Sequence, residues 1–157
     1  MFWQVYVLNV NEQIKNELLK AIDAYFFVNE LYKLSSSFIK YKCEEGFPIG
    51  NLTKIHYHMF GGDSPDILKV SAAMESLILA LDIFDDFQDN DQPNLVWNMV
   101  PKEESLNIAI GLLSLSHRLI EETSFDCRRK RKAIAYLSDR TLVSVNGQHI
   151  DLQNKVV

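Results

Sequence analysis

The stretch LDIFDDFQDND, from Leu81 to Asp91, decides the fold of this chain. Five of its eleven residues are aspartates: Asp82, Asp85, Asp86, Asp89 and Asp91. The residues before it, Val70 to Phe84, are apolar nearly all round a helix, which predicts a helix buried in the middle of a bundle. Negative charge therefore collects at the end of a buried helix, and that arrangement needs a physical reason.

The aspartates stand at helical spacing. Asp85 and Asp89 are at i and i+4, about 5–6 Å apart on one face of a helix, and Asp82 and Asp86 form a similar pair. Such pairs repel by a few tenths of a kcal/mol each, and the carboxyl end of a helix disfavours anions. Carboxylates without thiolates suit Mg²⁺, which completes its shell with water and substrate phosphates. The spacing predicts a magnesium–diphosphate site, and the alternative is a solvated acidic helix end.

Composition limits the classes of protein to consider. The chain has 157 residues, 47% of them hydrophobic, with 6 glycines and 4 prolines, which favours one helical domain over a sheet-and-turn protein. A net charge of -5 argues against nucleic acid or an anionic membrane as a partner. No apolar run is long enough to cross a bilayer, and the amino terminus lacks the basic region of a signal peptide. Two cysteines without metal-site spacing complete the case for a reduced, cytoplasmic setting.

Apolar periodicity and breakers divide the chain into helices. The predicted helices cover residues 11–41, 52–60, 63–89, 101–122 and 127–154, preceded by a strand-like or helical arm. Breaks are predicted at EEGFPIGN (Glu44–Asn51) and NDQPN (Asn90–Asn94), and Asp126 is predicted to cap the last helix. Short connections between these segments predict an antiparallel all-α bundle.

The run Asp85-Asp86-Phe87-Gln88-Asp89 resembles the first aspartate-rich motif, DDxxD, of the trans-isoprenyl diphosphate synthases. FGGD (Phe60–Asp63) resembles the turn before the helix that carries this motif, and NGQHIDL (Asn146–Leu152) resembles the family's GQxxDL segment. Within the family the chain is most similar to the ComQ-type isoprenyl transferases, which prenylate a tryptophan of a competence pheromone precursor. FGGD, DIFDDFQDND and the stretch Leu95–Asn107 carry that likeness.

The resemblance implies a bundle of the isoprenoid synthase type with a defined site. Asp85 and Asp89 would bind Mg²⁺, Asp86 would support them as a third catalytic aspartate, and Gln148 and Asp151 would lie across the cavity near the diphosphate. The implied chemistry is ionisation of an allylic diphosphate, farnesyl or geranyl. The apolar interior of the bundle would hold the prenyl chain and shield the carbocation from water.

The chain departs from the family in three places. EEGFPIGN lacks the basic GKxxRP-like segment, and NDQPNLVW lacks the paired arginines that follow the first motif. Both anchor a non-allylic diphosphate, so their loss favours transfer to another acceptor, such as a pheromone-precursor peptide. A second aspartate-rich motif is also missing. Residues 1–157 therefore resemble the N-terminal half of the family's domain, truncated after the GQxxDL helix. We expect such a half domain to be inactive by itself. Uncovered apolar faces on Val70–Phe84 and Ile108–Leu119 would then favour a homo-oligomer.

Two alternatives remain open on the sequence. A shortened relative of a prenyl synthase would serve as a non-catalytic helical interaction module or small subunit, and an acidic helical bundle would have no prenyl chemistry at all. The missing second motif favours the module. Retention of the three motif aspartates with Gln148 and Asp151 favours the enzyme, because a module without a ligand has no need to keep repelling carboxylates together.

Overall fold

The computed structural model describes the backbone of residues 2–89 and 92–154, and the side chains from residue 9 onward within these ranges. Over them the chain forms six α-helices, one 3₁₀ helix and no strand, so the all-α prediction is confirmed. The helices are α1 (Phe2–Tyr25), α2 (Asn29–Glu45), α3 (Pro48–Met59), α4 (Ile67–Asp89), the 3₁₀ helix (Val96–Met99), α5 (Lys102–Glu121) and α6 (Cys127–Asn154).

Contacts along α4 and α5 show that these two helices run antiparallel. Near the start of α4, the Asp66 carboxylate accepts a hydrogen bond from the amide of Ser124, just after the end of α5. Midway, Ser76 Oγ donates to the carbonyl oxygen of Leu112 at 2.8 Å. Both helices therefore bury one side against the other along their length.

The single helix predicted over residues 11–41 is wrong. The structure has two helices there, since α1 ends at Tyr25 and α2 begins at Asn29, and the arm before residue 11 is part of α1. Phe27 in the connection is 88% exposed. The turn contains no glycine or proline, and both helices bury apolar residues in one core, so the periodicity continues through the turn and hides it.

The break predicted at Glu44–Asn51 is shorter than expected, because α3 already begins at Pro48. Proline is tolerated in the first turn of a helix, where its missing N–H has no intrahelical partner. Gly46, with a φ of 104°, makes the turn itself. Gly50 instead permits close packing, since a Cβ there would lie 2.8 Å from Cδ1 of Ile14.

Several predicted helix ends are confirmed. Asp126 caps α6, because its Oδ1 accepts the backbone N–H of Arg129 at 3.0 Å. Helix α5 begins directly after Pro101, and α4 ends at Asp89, before NDQPN. Asn90 and Asp91 lie outside the described residues.

Helix α4 forms the centre of the core, with ten buried residues. The uncovered faces expected on Val70–Phe84 and Ile108–Leu119 are largely absent, because α1, α3 and α5 pack around α4 and Ile108 and Leu112 are fully buried. Ile110 of α5 is 57% exposed, but exposed apolar side chains are most numerous on α6, where only Leu137 is buried. They include Leu142, Val143, Val145 and Ile150.

None of the helices in the described ranges combines the length and the apolar composition that crossing a bilayer demands.

Candidate functional site

The aspartates of α4 lie at one end of the bundle, where the carboxyl ends of α2 and α6 and the 3₁₀ helix before α5 approach them. Antiparallel packing brings these elements together, although they are far apart in sequence. Three aspartates each contact a side chain from a different element. These contacts are the basis of the candidate site.

Asp82 is paired with Lys42 of α2. The Lys42 Nζ lies 2.9 Å from Asp82 Oδ2 and 3.2 Å from Glu45 Oε2. Burial disfavours the charged form of Lys42, but hydrogen bonds to Asp82 and Glu45 and the charges of these two carboxylates together outweigh burial, so the pKa of Lys42 is raised above its ordinary value. The ammonium therefore stays charged beside the carboxylates of α4.

Asp86 is held by Trp97. The indole N–H donates to Asp86 Oδ2 at 2.8 Å, and Trp97 is 2% exposed. The rings of Phe38 and Tyr41 meet it edge-on, with centroids 5.9 and 5.7 Å away. Trp97 therefore anchors the core at this end of the bundle. Its bond to Asp86 was missed, although a buried tryptophan close to an acidic cluster needs a partner for its N–H.

Asp89 meets the GQxxDL segment on α6. The side-chain amide of Gln148 donates to Asp89 Oδ1 at 3.3 Å, so the two motifs face each other. Asp151, predicted to lie beside Gln148 across the cavity, is exposed and does not line the cavity. His149, next to Gln148 on α6, is exposed and also lines the cavity wall.

A cavity of about 460 Å³ separates α4 from the last turns of α6, and we call it the α6 cavity. This volume lies within the range usual for small-molecule sites. Its apolar walls suit a hydrocarbon chain, and Asp82, Asp85 and Gln148 add polar groups to the lining. The lining residues are Ile78, Leu81, Asp82, Phe84, Asp85, Gln88, Ser144, Val145, Gln148, His149 and Leu152.

A second cavity, of about 290 Å³, lies on another side of the aspartates, and we call it the α2 cavity. It is bounded by the end of α2, the end of α4 and the segment around the 3₁₀ helix. Its lining is mostly polar and consists of Lys42, Glu45, Asp82, Asp85, Asp86, Gln92, Leu95 and Trp97. Asp82 and Asp85 line both cavities, so the two cavities share a wall of carboxylates.

The predicted magnesium ligands, Asp85 and Asp89, lie one turn apart on α4. Across the described side chains, no three His, Cys, Asp or Glu residues gather closely enough to form a complete metal cage. Mg²⁺ seldom needs one, because it binds through one or two carboxylates and takes its other ligands from water and substrate phosphates. The all-oxygen donors at the end of α4 therefore fit Mg²⁺ held jointly with a diphosphate.

Comparison with known proteins finds curated relatives over most of the chain. It is 31% identical over 135 residues to tryptophan prenyltransferase ComQ of Bacillus subtilis (strain 168), covering 85% of this chain and 43% of that protein. The ComQ proteins of B. subtilis subsp. natto (strain BEST195) and B. spizizenii are 30% and 35% identical over 141 and 109 residues. These matches cover 89% and 69% of this chain, and 43% and 38% of the respective relatives.

The resemblance to ComQ-type transferases is thus confirmed. The chain spans less than half the length of these curated relatives. No family model matches the chain. No solved structure matches it.

Proposed function

We propose that this chain provides the diphosphate-binding part of a ComQ-type isoprenyl transferase, which moves a prenyl group from an allylic diphosphate to a tryptophan. One observation carries the proposal. Asp89 of the aspartate motif contacts Gln148 of the GQxxDL segment beside an apolar-walled cavity that Asp85 also lines. The names of the similar proteins support the tryptophan acceptor.

In this mechanism the residues of the chain bind and orient the donor. Asp85 and Asp89 would hold Mg²⁺, while Gln148 and Trp97 fix the carboxylates of Asp89 and Asp86. When bound, Mg²⁺ neutralises charge on the departing pyrophosphate. The apolar walls of the α6 cavity hold the prenyl chain and keep water from the allylic cation.

The transfer itself breaks one bond and forms another. The bond between C1 of the donor and a diphosphate oxygen breaks, a bond from C1 to the indole ring system forms, and one proton is released. The acceptor, a peptide with a tryptophan, must therefore reach the aspartate end of the α6 cavity. The resemblance to prenyl synthases implies farnesyl or geranyl diphosphate as the donor, and the α6 cavity has a volume usual for small-molecule ligands.

Calorimetric titration with farnesyl diphosphate tests this function. We expect the chain to bind the diphosphate only when Mg²⁺ is present, and Asp85→Ala with Asp89→Ala to abolish that binding. Asp23→Ala with Asp139→Ala is the matched control, because it removes two exposed carboxylates outside the cavities. Binding that persists without Mg²⁺, or in the Asp85→Ala, Asp89→Ala variant, would contradict the proposal.

The second candidate is a non-catalytic helical module or small subunit that binds a catalytic partner. It is favoured by the exposed apolar side chains of α6, including Leu142, Val143 and Ile150, which are 57–62% exposed. Such surfaces commonly mark protein contacts. A chain that fails to bind farnesyl diphosphate with Mg²⁺, yet forms a defined complex with a complete prenyl synthase, would support the module instead.

A further inference from the structure

Three connections between helices meet at the end of the bundle opposite the aspartates, and we call it the turn end. Tyr25, the last residue of α1, donates its hydroxyl to the Glu122 carboxylate just after α5. The ring of Tyr57, near the end of α3, meets the ring of Phe125 before α6, with centroids 5.8 Å apart. The connections α1–α2, α3–α4 and α5–α6 therefore form one surface. Helix α4, with 23 residues, separates this surface from the aspartates by about 30 Å.

Large apolar side chains extend into solvent at the turn end. Phe27 and Val28 do so in the α1–α2 connection, and Met59 and Phe60 do so where α3 ends. Phe60 is 89% exposed and Met59 is 73% exposed. A single exposed apolar residue is ordinary, but a group of four at one end of a molecule marks a surface that contacts something apolar.

The turn between α3 and α4 holds its two exposed apolar side chains in place. A Cβ on Gly62 would collide with the ring of Tyr57, so that ring lies directly against the turn. The Tyr57 hydroxyl accepts the backbone N–H of Ser64 at 3.1 Å. Gly61, with a φ of 79°, reverses the chain in a conformation that glycine tolerates best. The turn is thus ordered in advance, which lowers the entropy cost of binding through it.

Five consecutive cations begin α6 at the turn end, from Arg128 to Lys132. Two of them have acidic partners, since Arg129 pairs with Asp126 and Lys130 pairs with Glu121. The other three are exposed and form no ion pair within the described part of the chain: Arg128, Arg131 and Lys132. Positive charge is therefore available beside the exposed apolar side chains.

The net charge of -5 describes the whole chain, and its two ends differ. Salt at physiological strength screens exposed charges beyond about 8 Å, so a surface that touches the turn end meets the charge found there. Glu30 and Asp63 also lie near the two exposed turns and oppose an anionic partner. Binding should therefore need the apolar side chains together with the unpaired cations. An anionic lipid surface offers both phosphates and an apolar layer beneath them.

We propose that the turn end docks on an anionic membrane surface. Met59 and Phe60 enter the headgroup region, and the unpaired cations of α6 contact lipid phosphates. Phenylalanine is typical of the residues that peripheral proteins place at this depth. The aspartates and both cavities then face water, at the opposite end of α4. This inference does not rest on the proposed function.

Co-sedimentation of the whole chain with lipid vesicles tests the proposal. We expect binding to vesicles of phosphatidylcholine and phosphatidylglycerol in equal parts, and binding at least about tenfold weaker to phosphatidylcholine alone. High salt should weaken binding to the mixed vesicles. Met59→Ser with Phe60→Ser should weaken it by about tenfold or more, because two apolar side chains no longer leave water.

Two matched comparisons separate the turn end from the rest of the surface. Met59 is 73% exposed at the turn end and Met99 is 71% exposed at the aspartate end, so Met59→Ser should weaken vesicle binding and Met99→Ser should not. Arg128→Gln with Lys132→Gln should weaken binding by about tenfold. Lys40→Gln with Lys102→Gln removes the same charge from exposed positions away from the turn end and should leave binding unchanged.

A further measurement needs no variant. In bicelles of the same mixed lipids that carry a spin-labelled lipid, the label should broaden the methyl resonance of Met59 in the unsubstituted chain and spare that of Met99. Absence of binding to the mixed vesicles, or equal broadening of the two methyl groups, would overturn the proposal. Full vesicle binding by the Met59→Ser, Phe60→Ser variant would do the same.

A protein contact is the other occupant that this surface could have. Self-association that Met59→Ser with Phe60→Ser removes, in a chain that stays in solution when mixed vesicles are added, would assign the turn end to that contact and overturn membrane docking. Binding of farnesyl diphosphate is measured without vesicles, so the proposed function and membrane docking stand or fall separately.

Discussion

Trp97 shows how a residue outside the aspartate motif can determine its geometry. Its buried indole N–H bonds to Asp86 Oδ2, and its own carbonyl oxygen accepts Ser105 Oγ at 2.7 Å. One tryptophan thus connects the end of α4 to the start of α5. The orientation of the Asp86 carboxylate depends on this connection.

Trp97→Phe keeps an aromatic ring in place but removes the N–H. We expect the free energy of unfolding to fall by about 1–3 kcal/mol, because a hydrogen bond to a charged group is lost and the ring is smaller. Urea unfolding of Trp97→Phe, Asp86→Ala and the double variant separates the two causes. We expect a coupling energy of about 1 kcal/mol or more. Additive effects would show that the N–H bond contributes nothing to stability.

Glu75 is a buried acid that the proposed mechanism does not use. It is 1% exposed, and its Oε1 accepts the backbone N–H of Gly50 in the first turn of α3. Burial raises the pKa of Glu75 to about 7 from 4.5, although the amides of Gly50 and Ile49 and the charge of Lys42 oppose this rise. The charge of Asp82, the ion-pair partner of Lys42, adds to the rise.

The raised pKa of Glu75 predicts how stability changes with pH. As pH rises above about 4.5 the unfolded chain loses this proton first, so stability falls until about pH 7, by about 3 kcal/mol. Glu75→Gln, which cannot ionise, should remove this part of the pH dependence and be the more stable form above pH 7. Urea unfolding between pH 4 and 8 measures it, with the exposed Glu44→Gln as control. Equal pH profiles for Glu75→Gln and the unsubstituted chain would refute the prediction.

At the scale of elements, the contact between α3 and α4 depends on the absence of a side chain. A Cβ on Gly50 would lie 2.8 Å from Ile14 Cδ1, 3.0 Å from Glu75 Cγ and 3.1 Å from the carbonyl oxygen of Ser71. The backbone carbonyl and the packed core cannot move freely. Helix α3 would have to move away from α4 to admit even a methyl group.

Gly50→Ala and Gly147→Ala form a matched pair of helix substitutions. We expect Gly50→Ala to lower the free energy of unfolding by about 1–3 kcal/mol through overpacking. A Cβ on Gly147 meets nothing within 4 Å in α6, so Gly147→Ala should raise it by about 0.5–1 kcal/mol through helix propensity. Thermal and urea unfolding of both variants provide the measurement. A Gly50→Ala variant as stable as the unsubstituted chain would show that α3 is not held closely against α4.

At the scale of the whole molecule, α6 is the least covered helix in the described ranges. Gln148 and Leu152 face the α6 cavity, and helical geometry places Val143 and Ile150 on the opposite side. Those two are 57% and 58% exposed. The exposed apolar surface that the sequence predicted for α4 and α5 is therefore found mainly on α6.

We expect a second copy of the chain to cover this side of α6 in solution, because apolar surface of this kind favours association. Val143→Glu with Ile150→Glu should shift the chain toward the monomer in sedimentation velocity at a given concentration. Both positions lie outside the two cavities, so diphosphate binding should be unaffected. The control is Asp139→Ala, an exposed polar substitution on the same helix. A monomeric unsubstituted chain would contradict the homo-oligomer.

The amino-acid sequence by itself determined the helical class, most helix ends and the helix that carries the aspartates. These features depend on local sequence. Pro101 and Asp126 each determine where the helix next to them begins, and the apolar spacing along Val70–Phe84 defines a single helix. The same motifs were enough to identify the resemblance to ComQ-type transferases. The turn near Phe27 escaped prediction because no breaker marks it.

Only the tertiary structure decided which partners the aspartates have. Lys42 is 40 residues before Asp82 and Gln148 is 59 residues after Asp89, and no local pattern links such pairs. The antiparallel packing brings them to one end of the bundle, places Asp151 outside the α6 cavity, and creates a second, acidic cavity around Trp97. Contacts of this kind depend on how the helices pack against one another. Which face of a helix is buried depends on the neighbouring helices and cannot be read from that helix's sequence alone.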